Sequence, residues 1–213
     1  MIIIGRIEYL NLLPFHFFLK RYNYKFIGKN GYPSQINRLF LKRKVEAGFI
    51  SSIKSKNQKC LNAGIVANKK VMSVLICPGE NKEDKESNTS NILAKILNEK
   101  GEVVIGDKAL QRFYKNNNCK DMAALWYKKY KLPFVFARFC INSNNKELKK
   151  IINKFLKKRI KVPQYVLKSE ANRLRLSPKH IQEYLNQIYY KIGYKEKKAL
   201  KLFLKLSQKV SNE

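Results

Sequence analysis

Two histidines, His16 and His180, are all that the 213 residues contain, and they lie far apart in the chain. A histidine-built metal centre and a Ser-His-Asp triad are therefore not expected. Cysteine is nearly as scarce. Cys60, Cys77, Cys119 and Cys140 are widely spaced and form no Cys-x-x-Cys pair. They give no zinc site and read as reduced thiols of a cytoplasmic protein. No apolar run reaches the roughly 18 residues of a membrane helix, so no membrane partner is expected. Arg6 and Glu8 interrupt the N-terminal apolar run at once, which argues against a signal peptide. Acidic residues are few: 15 Asp+Glu stand against 45 Lys+Arg, a net charge of +30.

That charge raises the question of a nucleic-acid partner. The lysines are dispersed, however, with local density at Lys146–Lys161 and Lys191–Lys209, where they alternate with Leu, Ile and Phe. This is the wet side of amphipathic helices, no recognition motif accompanies it, and no nucleic acid is expected. The positive field would still draw small anions toward a cleft. Hydrophobic residues at 45% describe a globular chain. At this length roughly 70% of the unfolded surface can be buried, so folding needs no disulfide or metal.

The organising stretch is Gly5 to Phe15. Ile2-Ile3-Ile4 before it is strand-like, and Leu12–Tyr22 is helical with Pro14 in its first turn, where proline is tolerated. Tyr9 and Asn11 thus fall in a loop between a strand and a helix N-terminus, where open α/β sheets bind ligands. Next come a short strand at Tyr24–Ile27, a helix at Gln35–Lys42 capped by Ser34, and a strand at Ala47–Ile50 running into Ser51-Ser52. This order favours a parallel sheet. Val71–Cys77 reads as a strand, and the polar segment 79–88 as a crossing between lobes. Ser87 or Thr89 can cap a helix to Leu97. Val103–Ile105 is a strand, Asp107 can cap a helix through Tyr114, Asn116–Asn118 is a loop, and Asp121 caps Met122–Tyr130. Phe134–Ile141 is the longest strand candidate. Helices follow at Lys146–Lys158, Gln164–Arg175 and Pro178–Gln208, the last broken at Gly193. The pattern predicts an α/β protein of two lobes around a cleft, with residues 1–77 and 141–213 in the first lobe and 78–140 in the second.

Several of these loops resemble the menaquinone-biosynthesis family of the futalosine pathway. Gly5 to Phe15 is similar to its "RISYLNTLPF" signature. Gly31-Tyr32-Pro33 with Ile36-Asn37-Arg38-Leu39 is similar to "GTPaeLNrLL", and Phe49 to Ile53 to "aliSSiey". Ser73-Val74-Leu75, Ser87-Asn88-Thr89-Ser90, Val104 to Leu110 ("LIGDaAL"), and Asp121–Trp126 with Leu132–Ala137 continue the likeness collinearly over nearly the whole chain. Glu8, Tyr32, Lys54, Asn88 and Phe139 depart from the family pattern, and the segment before Ser87 is shorter.

The resemblance implies a fold like the type II periplasmic binding proteins, used here by a cytoplasmic lyase. It implies dehydration of chorismate to 3-[(1-carboxyvinyl)oxy]benzoate with no cofactor and no metal. It gives Asn11 the catalytic role, and makes Tyr9, Ser51, Ser52, Ser73, Ser87, Thr89, Ser90, Gly106 and Asp107 substrate-binding residues. The chemistry suits such a set. Serine and threonine hydroxyls and helix N-termini donate to carboxylates, and a carboxamide can orient a leaving hydroxyl. Asp107 is the best titratable candidate, and one of the substrate's own carboxylates is the other proton acceptor. Taken without the resemblance, Asn11 is a cap or turn residue, Ser51-Ser52 a turn, Ser87 to Ser90 an N-cap, and Tyr9 and Trp126 packing residues. Three alternatives stay open: a cyclic dehypoxanthine futalosine synthase of the same pathway, a non-catalytic binder of small carboxylates, and a nucleic-acid binder on charge alone.

Overall fold

A computed structural model describes residues 2–115 and 118–210. The first third contains β1 (Ile3–Arg6), a 3-10 turn (Leu10–Leu12), α1 (Leu13–Arg21), β2 (Ile27–Asn30), α2 (Pro33–Leu41), β3 (Ala47–Ser51) and β4 (Cys60–Ala67). Then follow β5 (Val74–Cys77), α3 (Asn88–Leu97), β6 (Glu102–Ile105), α4 (Gly106–Lys115), β7 (Lys120–Asp121) and α5 (Met122–Tyr130). The chain continues with β8 (Phe134–Ile141), α6 (Lys146–Lys157), α7 (Gln164–Leu174), α8 (Pro178–Leu185), β9 (Ile188–Lys191) and α9 (Tyr194–Lys209). Of the loop expected at Asn116–Asn118, residues 116 and 117 lie outside the described residues.

Two sheets divide the molecule. The larger has the order β2-β1-β3-β8-β4-β9 and the smaller β6-β5-β7. β1 runs parallel to both β2 and β3, as the alternating strand-helix pattern requires. The remaining pairs, and the whole smaller sheet, are antiparallel. The sheets correct the expected lobe boundaries. β5 pairs with β6 and β7, and β8 with β3 and β4. The chain therefore crosses at residues 68–73 and 131–133, not at 78 and 140. Segment 79–88 is not the crossing; it lies along the smaller sheet, where Lys82 bridges to Glu102. The first crossing is held by one carboxylate: Asp121 Oδ2 accepts from Val71 N at 2.9 Å and Met72 N at 2.6 Å, with Met72 at φ 63°. The same Asp121 caps α5 through Ala124 N, as its sequence position predicts.

Other helix starts follow local chemistry. Ser87 caps α3, and Ser177 caps α8. Two expected caps are corrected. α2 begins at Pro33 with Tyr32 at its N-cap, so Ser34 sits inside the first turn, and its amide donates to Glu86 O at 3.1 Å. Asp107 also lies inside the first turn of α4, and its carboxylate bonds to other elements instead. The expected strand at Tyr24–Ile27 forms three residues later, at Ile27–Asn30, and the long final helix is interrupted by β9.

The cysteines are paired, not reduced as expected. Cys60 stands opposite Cys140 in the β4–β8 ladder and is bonded to it. Cys77, at the end of β5, is bonded to Cys119 just ahead of β7. Sequence separations of 80 and 42 hide neighbours that only strand pairing creates. Among the described residues no helix is long and apolar enough to cross a membrane. One large buried cluster draws on both sheets, and two smaller ones lie beside it, around Val66 and Val135 and around Leu75 and Val104. The centre of the large cluster in the larger lobe is an aromatic group in which Phe15 meets Phe49, Phe139 and Phe155 edge to face.

Candidate active site

Residues after the carboxyl ends of β1 and β3 in the larger sheet meet the N-termini of α3 and α4 beside the first crossing segment. Between them lies a cavity of about 60 Å³. Tyr9, Asn11 and Ser51 line it from the larger lobe. Ser73, Ser87, Ser90 and Gly106 line it from the crossing and the smaller lobe. These seven sequence-predicted residues are brought together. Phe49, Phe136 and Pro33 supply apolar wall, and among the described residues no charged side chain lines the cavity.

Three predicted residues are placed elsewhere. Ser52 is fully buried, its hydroxyl donating to Val135 O at 2.6 Å. Thr89 Oγ1 accepts from Ile53 N at 3.3 Å, a bond across the lobes, and does not line the cavity. Asp107 stands at the mouth, where Oδ1 accepts from Leu10 N at 3.0 Å and Oδ2 pairs with Arg173 at 2.7 Å.

Each lining group has a local support. The phenol of Tyr190 donates to Asn11 O at 2.6 Å, fixing the turn that carries Asn11. Asn37 brackets Ser51, and Tyr184 reaches Ser73. Ser87 Oγ accepts from Ser90 N at 3.1 Å and lies 2.8 Å from Ser90 Oγ. Gly106 is required twice over. Its φ of 68° is left-handed, and an added Cβ would come within 2.6 Å of the Tyr9 ring. Asn11 Oδ1 is different: among the described residues it is a buried side-chain oxygen with no hydrogen-bond partner. A buried acceptor left unpaired costs about 1–3 kcal/mol, so a ligand group at this position is the natural partner.

The mouth opens to an outer cavity of about 480 Å³, lined by Glu8, Glu86, Asp107, Lys108 and Arg173 together with Tyr9 and Tyr32. The Tyr9 ring divides the two spaces, and its hydroxyl donates to Glu86 Oε2. Burial, then the Glu86 carboxylate, push this phenol far above its usual pKa, so it remains a donor. Lys108 lies 2.9 Å from Asp84 and 3.7 Å from Glu86. Sequence reasoning missed Glu86, Asn37, Tyr184 and Tyr190. Asn37 had a readable signal, since it lies one turn before Phe40 on the apolar face of its helix. Among the described residues no group of His, Cys, Asp and Glu could hold a metal ion.

Fold and cavity define a class: two α/β lobes around a small cleft, the fold of the periplasmic binding proteins. The protein AF1704 of Archaeoglobus fulgidus matches with a TM-score of 0.70 at 12% identity, covering 100% of this chain and 98% of its own. The periplasmic aliphatic sulphonate binding protein SsuA of Escherichia coli matches at 0.61 and 10% identity, over 99% and 91%. At such identities the likeness is one of fold. Sequence goes further: a family model described as menaquinone biosynthesis matches residues 2–101 and 86–209. A chorismate dehydratase of Campylobacter jejuni is 45% identical over 214 residues, 95% of this chain and 96% of its own. The chain belongs to this menaquinone-biosynthesis family.

Proposed function

We propose that this protein is a chorismate dehydratase, a hydro-lyase acting at the start of the futalosine route to menaquinone. The observation that carries the reading is a small cavity lined, among the described residues, by uncharged side chains, in which serine hydroxyls gather around a carboxamide whose buried oxygen has no partner. The name of the Campylobacter relative supports the substrate. Chorismate is a dianion. Loss of its ring hydroxyl and a ring proton breaks one C–O and one C–H bond, forms the third ring double bond and releases water. Aromatisation supplies the driving force.

Ser51, Ser73 and the Ser87–Ser90 pair hold the carboxylates, assisted by the N-terminus of α3. A helix N-terminus contributes about 0.3–1 kcal/mol to a bound anion, and each hydrogen bond to a charged group about 1.5–3 kcal/mol. Several together reach the roughly 8 kcal/mol of micromolar binding. Asn11 engages the departing hydroxyl. The lining offers neither carboxylate nor imidazole, and the Tyr9 proton is held by Glu86. This supports proton transfer to one of the substrate's own carboxylates.

The cavity is far below the roughly 300–1,000 Å³ of small-molecule sites, so the lobes part to admit chorismate and the Tyr9–Glu86 contact breaks. The reading places the enzyme in the cytoplasm. None of the four cysteines lines the cavity, so reduction there leaves the site chemistry unchanged. Incubation with chorismate should give an aromatic product by ultraviolet spectrum and mass. Absence of turnover by folded protein overturns the proposal.

A further inference from the structure

The adjacent serines at the end of β3 have opposite hydroxyl polarity. Ser51 N donates to Asn37 Oδ1 at 3.0 Å, and Asn37 Nδ2 donates to Ser51 Oγ at 2.7 Å. A backbone amide can only donate, so the carboxamide oxygen must face it and the NH2 must face the hydroxyl. Ser51 Oγ is thereby an acceptor toward the protein, and its own proton is left for whatever occupies the cavity it lines. Ser52 is the reverse: its proton goes to a carbonyl, and it does not line this cavity.

Ser73 repeats the Ser51 arrangement. The fully buried Tyr184 has its hydroxyl 2.9 Å from Ser73 Oγ, its one side-chain partner among the described residues. Burial raises the pKa of this phenol, so it keeps its proton, and the bond runs from the Tyr184 hydroxyl as donor to Ser73 Oγ. The Ser73 proton is then free to point into the cavity. At the third corner Ser87 accepts from Ser90 N, and the two hydroxyls share one bond. Two protons serve that pair and one is left over.

We propose that Asn37 and Tyr184 are positioning residues: by donating to Ser51 and Ser73 they turn both hydroxyls into donors and make an uncharged cavity selective for carboxylates. The inference rests on the lyase reading for its substrate, but its physical content is anion recognition. A buried lysine or arginine would bring a desolvation penalty of several kcal/mol and would need a counter-charge. Oriented hydroxyls give the same sign of potential without it.

Asn37→Asp tests the polarity directly. The ionised carboxylate offers only acceptors, so Ser51 must donate to it and turn its lone pairs on the ligand. The KM for chorismate should rise about tenfold or more, with kcat changed less than about threefold. In a Ser51→Ala background the same substitution should move KM less than about twofold. The rise should shrink as pH falls and the introduced carboxyl regains a proton to donate, a signature that mere loss of packing would not give. Should Asn37→Asp fail to fold, Tyr184→Phe removes one oxygen and keeps the ring. It should raise KM about threefold or more alone, and hardly at all with Ser73→Ala.

Calorimetric binding of isophthalate, a ring bearing two carboxylates, separates the two readings. Weaker isophthalate binding by the variants, with no chorismate turnover by the wild type, overturns the lyase reading and leaves the donor polarity standing. Equal binding by wild type and variants, or none by the wild type, overturns the polarity. So does an equal KM rise in the serine-to-alanine backgrounds.

Discussion

The cavity and its rim obey different electrostatics. Inside, no charged group among the described residues lines the wall, and polarity comes from hydroxyls, amides and one carboxamide. A few ångströms outward, Glu8, Glu86, Asp107, Lys108 and Arg173 gather in a chain that has few acids to distribute. Rim charges stay partly in water: the Arg173 side chain is 46% exposed where it meets Asp107. Such pairs are screened and individually weak, which suits contacts that form and break under the lobe opening proposed above. On the proposed function the interior holds an anion in a dry site, where a fixed ionic partner is costly to desolvate and hard to reverse. Dipoles with set direction suit that task. Charge belongs where water can still reach it, and orientation replaces charge where water cannot.

The largest effect should come from the centre of the cavity. Asn11→Ala should lower turnover at least tenfold, toward the roughly hundred- to thousandfold range for losing one preorganised polar group, while the melting temperature does not fall. Equal loss of stability and activity would mean that the side chain serves the turn instead. Gly106→Ala attacks the boundary between cavity and rim. It forces a Cβ on the Tyr9 ring at a left-handed position. It should cost about 1–2 kcal/mol in urea unfolding and slow turnover through poor closure. A variant as stable as the wild type would remove the case for this glycine.

His16 offers a titration behind the site. Burial, and then Arg6, lower its pKa to about 4. The unfolded chain therefore binds a proton in the window between about 6.5 and 4 that the folded chain refuses. Stability should fall as pH drops, by about 1 kcal/mol between pH 7 and 5.5. His16→Phe should flatten that slope, and an unchanged slope would assign it to other groups. Arg173→Gln should do least. The lost rim pairs should shift KM by less than about threefold, and the shift should fade in high salt. A larger, salt-resistant effect would place Arg173 with the interior and erase the contrast.

Much of this was legible in the residues. Pro14 in the first turn marked the strand-loop-helix unit around Asn11, and Ser87, Asp121 and Ser177 marked helix starts by their capping chemistry. β4 was not legible. Asn62, Ala63 and Gly64 dilute its apolar pattern, and it is a strand because β8 and β9 pair with it on both sides. β9 looks helical in continuity with Pro178–Leu185 until its edge pairing to β4 is known. The cysteine bonds, the lobe boundaries and the placement of Ser52, Thr89 and Asp107 share that cause, since each depends on a neighbour distant in sequence.

The sequence alone determined which segments are strands and helices where periodicity and caps are strong, which loops would carry hydroxyls and amides, and which family the chain resembles. These are local properties, set by side-chain sterics and hydrogen bonds within a few residues. Tertiary structure alone decided which of two adjacent serines keeps a proton to offer, and that Tyr184 and Tyr190 from the chain's end support residues near its beginning and middle. A hydroxyl's direction is fixed by the partner on its other side, and that partner arrives only when the sheets have paired and the lobes have closed.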